Sequence, residues 1–153
     1  MDPRRRYWHP VVGYNYRMTN LQAALGLAQV ERSKVLIQRK RAIATLYREE
    51  LADAPLRFQV EAKGARSVHW MFSVLLDASQ RRSVGTVMKR LASDGIETRP
   101  FFFPIPIMPP YKRSRKFPVS AELHRRGLCL PSGATLTDAQ VSRTTRALKR
   151  ALA

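Results

Sequence analysis

Residues 68–102 read VHWMFSVLLDASQRRSVGTVMKRLASDGIETRPFF, and three patterns succeed one another within them. Val68, Trp70, Phe72, Val74 and Leu76 alternate with His69, Met71, Ser73 and Leu75, the period-two signature of a strand with one buried face. Val84, Val87, Met88 and Leu91 then form a stripe at helical spacing within Gln80–Asp94, and Gly95 is placed to cap the helix end. Ile96–Phe102 reads as a second strand. Strand, helix and strand in so short a span predict a small sheet with helices on one side, an α+β domain.

Toward the C-terminus, residues 103–118 hold five prolines and a run of bases, and read as a long loop. Val119–Arg126 predicts a short helix ending at Gly127, and LCLP (128–131) a short strand. Thr137 with Gln140 is a capping box opening a last helix, whose buried face carries Val141, Leu148 and Leu152. Toward the N-terminus lies a turn at Asp53–Pro55. A second capping box, Thr19 with Gln22, precedes a stretch free of proline, and of glycine after Gly26, so one long helix is predicted over 19–51. Leu21, Leu25, Ala28, Val35, Ala42 and Leu46 recur along it at spacings of three, four or seven. Its beginning, LQAALGLAQV (21–30), is apolar nearly all round. Those first turns are expected to enter an interface, where Ala23, Ala24 and Gly26 allow close approach of another backbone. Residues 1–18 follow neither period, and Pro3, Pro10 and Gly13 punctuate them. The organisation expected is an extended arm (1–18), a linker helix (19–52) and a small C-terminal α+β domain (53–153).

With 153 residues, 44% of them hydrophobic and 25% charged, the chain has the composition of one globular domain. No apolar run approaches the ~20 residues of a membrane helix, and the arginine-rich start lacks a signal-peptide core, so a soluble cytoplasmic protein without membrane contact is expected. A single cysteine, Cys129, excludes an internal disulfide. His9, His69 and His124 lie far apart with no partner cysteine, so no metal site is predicted. The net charge is +17, with ten bases against two acids over 112–153 alone, which suits an anionic partner. One reading is therefore a non-catalytic basic module for nucleic acid or an acidic protein. Its nucleic-acid binding would be non-specific and salt-dependent, because exposed aromatics do not alternate with bases.

Taken alone, the residues offer no catalytic constellation. The most loaded stretch is GYNYRMTN (13–20), which sets an amide, a guanidinium and two phenols before a helix N-terminus and so suits an anion. The alternative is an ordinary helix start with Arg17 paired to a carboxylate. The run RRRYWHPVVGYNYRMTNLQAALGLAQVE (4–31) resembles the segment joining the large and small domains of the DegT/DnrJ/StrS family of pyridoxal phosphate-dependent sugar aminotransferases. The resemblance continues through RAIATLYREEL (41–51), HWMFSVLLDA (69–78), GIETRPFFFPIPIMPPY (95–111) and LCLPSGATLTDAQV (128–141). Its ETRPFF and MPPY phrasing is most similar to the GDP-perosamine synthase-like members, which aminate a 4-keto-6-deoxy sugar on a nucleotide.

The resemblance implies the C-terminal portion of a fold-type I transferase whose large domain, with the Schiff-base lysine, lies upstream of a position matching Met1. This chain then corresponds to a fragment, half of a split gene or a truncated paralogue, inactive alone and working as a homodimer or with a complementing large-domain chain. None of its seven lysines matches the family's lysine motif. Pyridoxal 5′-phosphate is the implied cofactor, and a nucleotide-sugar and an amino donor are the implied substrates. By the same resemblance Asn15 matches the asparagine that reaches the cofactor phosphate of the neighbouring subunit, and Arg17 the arginine supporting that site. Arg99 lies in a stretch facing the nucleotide-sugar cleft; its alternative is a surface ion pair with Glu97. The family commonly has a histidine where this chain has Pro106.

Overall fold

The computed structural model describes residues 6–112 and 114–153; the start of the arm, up to Arg5, and Arg113 lie outside the described residues. Two compact units share the chain, one comprising 1–33 with 101–125 and the other 34–100 with 126–153.

In the first unit, residues 6–19 form neither helix nor strand, as the punctuation predicts. Tyr7 packs its ring 4.5 Å from that of Phe102, and Trp8 sets an edge 5.4 Å from Phe103. Helix α1 (Asn20–Glu31) opens with the expected capping box: Gln22 N–H donates to Thr19 Oγ1 (3.3 Å) and Thr19 N–H to Gln22 Oε1 (2.7 Å). No residue of α1 is buried. Residues 103–117 contain two 3₁₀ turns, Ile105–Ile107 and Pro109–Tyr111, and lead into α4 (Pro118–Arg126), where proline occupies the first helical position, whose N–H needs no partner.

The single helix expected over 19–51 is instead two. Arg32 leaves helical geometry (φ −94°, ψ 1°), and α2 runs over Ser33–Glu50. Neither glycine nor proline marks the break. It also resets the phase of the apolar stripe: α2 buries Ile43, Ala44 and Tyr47, not Ala42 and Leu46.

The second unit is built on a four-stranded antiparallel sheet of order β1 (Leu56–Phe58), β2 (Phe72–Leu76), β4 (Gly127–Leu130), β3 (Arg99–Pro100). Phe72 faces Leu130 and Val74 faces Leu128, while Leu56 and Phe58 face Leu76 and Val74. The period-two rule thus puts all these side chains on one face. Against it pack Ile43, Ala44 and Tyr47 of α2, Val84, Val87 and Leu91 of α3 (Val84–Ser93), and Val141, Ala147, Leu148, Ala151 and Leu152 of α5 (Asp138–Leu152). The molecule is α+β, as expected.

Three details differ from the sequence reading. The first strand begins only at Phe72, because His69 adopts φ 45°, a left-handed conformation that no strand continues through; Val68 and Trp70, expected inside, are 51% and 69% exposed. The strand expected over 96–102 shrinks to Arg99–Pro100, an edge pair in which proline offers no N–H to a ladder. The three residues of β1 carry too short an alternation to be read from sequence. Gly95, by contrast, caps α3 as expected: it has φ 72°, its N–H donates to Ala92 O, and the N–H of Ile96 reaches Leu91 O, the paired bonds of a Schellman end.

Candidate functional site

In the first unit, Asn15 and Arg17 lie in the exposed stretch leading to α1, and neither has a hydrogen bond or ion pair with any described residue. The carboxylate pairing considered for Arg17 is absent among the described residues. The neighbouring rings of Tyr14 and Tyr16 lie 5.4 Å apart. At the start of α1 the capping box takes the N–H of Gln22, and the first helical bond runs from Ala23 to Thr19 O. That leaves the N–H groups of Asn20 and Leu21 open. A carboxamide, a guanidinium and two backbone donors, all without partners among the described residues, are a donor set of the kind that suits a phosphate.

In the second unit, Arg99 sits on the edge strand opposite Cys129 and lines a cleft of about 530 Å³ together with Lys40, Trp70, Glu97, Gln140 and Arg143. Its Nε lies 3.9 Å from Glu97 Oε1, both side chains being at least half exposed, so the anticipated ion pair exists but is loose and solvent-screened. Lys40 Nζ donates to Trp70 O (2.7 Å) and Ser132 O (2.6 Å), and burial lowers its pKa. Arg143 donates to Asp94 O at 2.6 Å. Three cations against one carboxylate leave the cleft receptive to an anion. Cys129 adds no nucleophile: burial raises its thiol pKa, partly offset by the Ser73 hydroxyl 3.4 Å away. Sequence reasoning named Arg99 but missed Lys40, Trp70 and Arg143. Trp70 was read as strand interior, and nothing in helical spacing marks Lys40 or Arg143 as cleft residues.

Comparison with known proteins first defines the class. The aminotransferase TlmJ of Streptoalloteichus hindustanus, a solved structure, is 25% identical and superposes with a TM-score of 0.77 over 86% of this chain and 36% of that chain. The DegT/DnrJ/EryC1/StrS aminotransferase family model matches residues 1–149, and the chain belongs to that family. It is similar to the GDP-perosamine synthase of Vibrio cholerae (41% identity, covering 95% of this chain and 40% of that protein) and to that of Caulobacter vibrioides (40%, covering 99% and 42%). The chain thus spans about 40% of the length of these relatives. Membership implies pyridoxal 5′-phosphate as cofactor. The alternative of a nucleic-acid or acidic-protein module gains no support from these relatives. Among the described residues, no helix is long and apolar enough to cross a membrane.

Proposed function

We propose that the chain works as the C-terminal part of a pyridoxal phosphate-dependent aminotransferase that aminates a 4-keto-6-deoxy sugar carried on a nucleotide, in a dimer with the large cofactor-holding domain. The observation that carries this reading is the 41% identity to GDP-perosamine synthase over 95% of the chain.

Asn15 donates its carboxamide to the phosphate of the cofactor held mainly by the neighbouring subunit, and Arg17 supplies positive charge beside it. The exposure of both and their lack of partners among the described residues support these roles. When bound, the cofactor supplies the electron sink for amino transfer. Its lysine is assigned to none of this chain's residues. Arg99 faces the nucleotide diphosphate, with Lys40 and Arg143 maintaining the positive potential of the cleft.

The test is to assemble the chain with a matching large domain and titrate pyridoxal phosphate. Replacing Asn15 by Ala removes one donor to a charged acceptor, worth ~1.5–3 kcal/mol, so affinity should fall by roughly ten- to a hundredfold while the unfolding midpoint stays put. Unchanged affinity would remove Asn15 from the site.

A further inference from the structure

Residues 59–71 join β1 to β2 without helix or strand, and three cations of α2 fasten them down. Arg48 Nη2 donates to Gln59 O, Arg41 Nη2 to Ser67 O (2.6 Å) and Lys40 Nζ to Trp70 O (2.7 Å). One carboxylate joins the set. Glu61 Oε1 accepts the N–H of Ser67 (2.9 Å) and lies 3.6 Å from Arg41 Nη2 and 3.8 Å from His69 Nε2. The Ser67 hydroxyl in turn accepts the N–H of His69 at 3.1 Å. The His69 side chain is only 10% exposed, and its backbone is left-handed (φ 45°), a conformation that a histidine keeps where its surroundings hold it. Directly after this reversal, Trp70 lines the cleft that Lys40 and Arg99 share.

Proton uptake by His69 works against this fastening. The new charge would be withheld from water and set among Lys40, Arg41 and Arg48, with only Glu61 to offset it, and Glu61 is already engaged by Arg41 and Ser67. Burial first, and then Arg48, hold the His69 pKa below the usual histidine value against the pull of Glu61. Once residues 59–71 lift from α2 the ring regains its ordinary pKa, so the open form binds more protons and opening is favoured as pH falls below about 6.5. We propose that residues 59–71 are a proton-sensitive strap: closed on α2 while His69 is neutral, they hold Trp70 in the cleft wall, and they loosen when His69 gains a proton. This inference is independent of what the cleft binds.

The test uses the full chain carrying Trp8→Phe, which leaves Trp70 as the sole tryptophan. From about pH 7.5 to 5.5, above the ordinary carboxylate range, the His69 ring is titrated by NMR while amide exchange at Ser67 and the emission of Trp70 are followed. His69 should titrate below about pH 6.5, and protection of the Ser67 amide, corrected for intrinsic exchange, should fall roughly three- to tenfold across the range. Trp70 emission should shift with the same midpoint. None of these readings needs a variant of His69. His69→Gln should then make protection and emission independent of pH. Two charge variants should move the His69 midpoint in opposite directions, Glu61→Gln downward and Arg48→Met upward, shifts that a histidine with a purely packing role would not couple to exchange at Ser67. A His69 ring titrating at or above about pH 6.5 overturns the proposal. So does Ser67 protection or Trp70 emission that ignores the His69 titration, or a pH dependence that survives His69→Gln.

Discussion

Helices α1 and α5 begin in the same way and end up in opposite environments. Each opens with a Thr-x-x-Gln capping box; the Gln N–H to Thr Oγ1 distance is 3.3 Å in both, and the return bonds are 2.7 and 2.9 Å. Yet α1, apolar over most of its length, buries nothing, whereas α5, with four bases among its fifteen residues, buries seven. The cap fixes only where a helix starts. Whether its own unit absorbs it depends on segregation: α5 gathers its apolar groups into one stripe, and α1 spreads Leu21, Leu25, Leu27 and Val30 around the cylinder. So much exposed apolar surface on a single helix calls for a partner.

The sharpest break of this contrast is a pair of truncations. Leu148→Ala, at a position with no solvent exposure, should cost ~2–5 kcal/mol in urea unfolding. Leu25→Ala should change stability by less than ~0.5 kcal/mol, while Leu25→Glu reduces self-association seen by light scattering. Comparable destabilisation by Leu148→Ala and Leu25→Ala would erase the distinction. The caps sharpen it at lower amplitude. Thr137→Ala should cost ~1 kcal/mol of global stability, whereas Thr19→Ala should speed amide exchange only in the first turn of α1.

The smallest effect tests how α5 is fastened to α2. Glu50 accepts hydrogen bonds from the hydroxyls of Ser142 and Thr145, which hold its carboxyl below the usual glutamate range. The folded pKa lies below the unfolded one, so the unfolded chain binds more protons. The stabilisation is present above the unfolded value of about 4.3 and is lost as pH falls through the lower folded value. Glu50→Gln should therefore flatten the acid limb of a stability–pH profile; an unaltered limb would assign that slope to other carboxylates. Glu50 is largely solvated, so the change should be slight.

Features governed by neighbouring backbone groups were legible in the sequence: both capping boxes, the Gly95 turn, the stripe of α3 and the helix ending at Gly127. Those set by the tertiary environment were not. The break at Arg32 involves an ordinary arginine, and the reversal at His69 needs a positive φ that histidine does not announce. Strand lengths failed because β3 can pair on one side only, with β4. At the sites, Asn15 and Arg17 were legible through resemblance and not through spacing. His69 passed as a strand residue, because its relation to Glu61 and Arg41 exists only after residues 59–71 have folded against α2.

The central strand β4 supplies a last consequence, one that concerns synthesis. Every residue of β4 is buried, and it joins β2 to β3. Both neighbours leave the ribosome well before it does. Until Gly127–Leu130 and the following α5 emerge, Phe72, Val74 and Leu76 have only the three residues of β1 alongside, and Arg99–Pro100 has no strand beside it. The nascent chain therefore carries an open apolar sheet edge from the completion of β2 until β4 follows, a state prone to aggregation or chaperone capture. A stop codon after β2 but before residue 127 would make that state permanent.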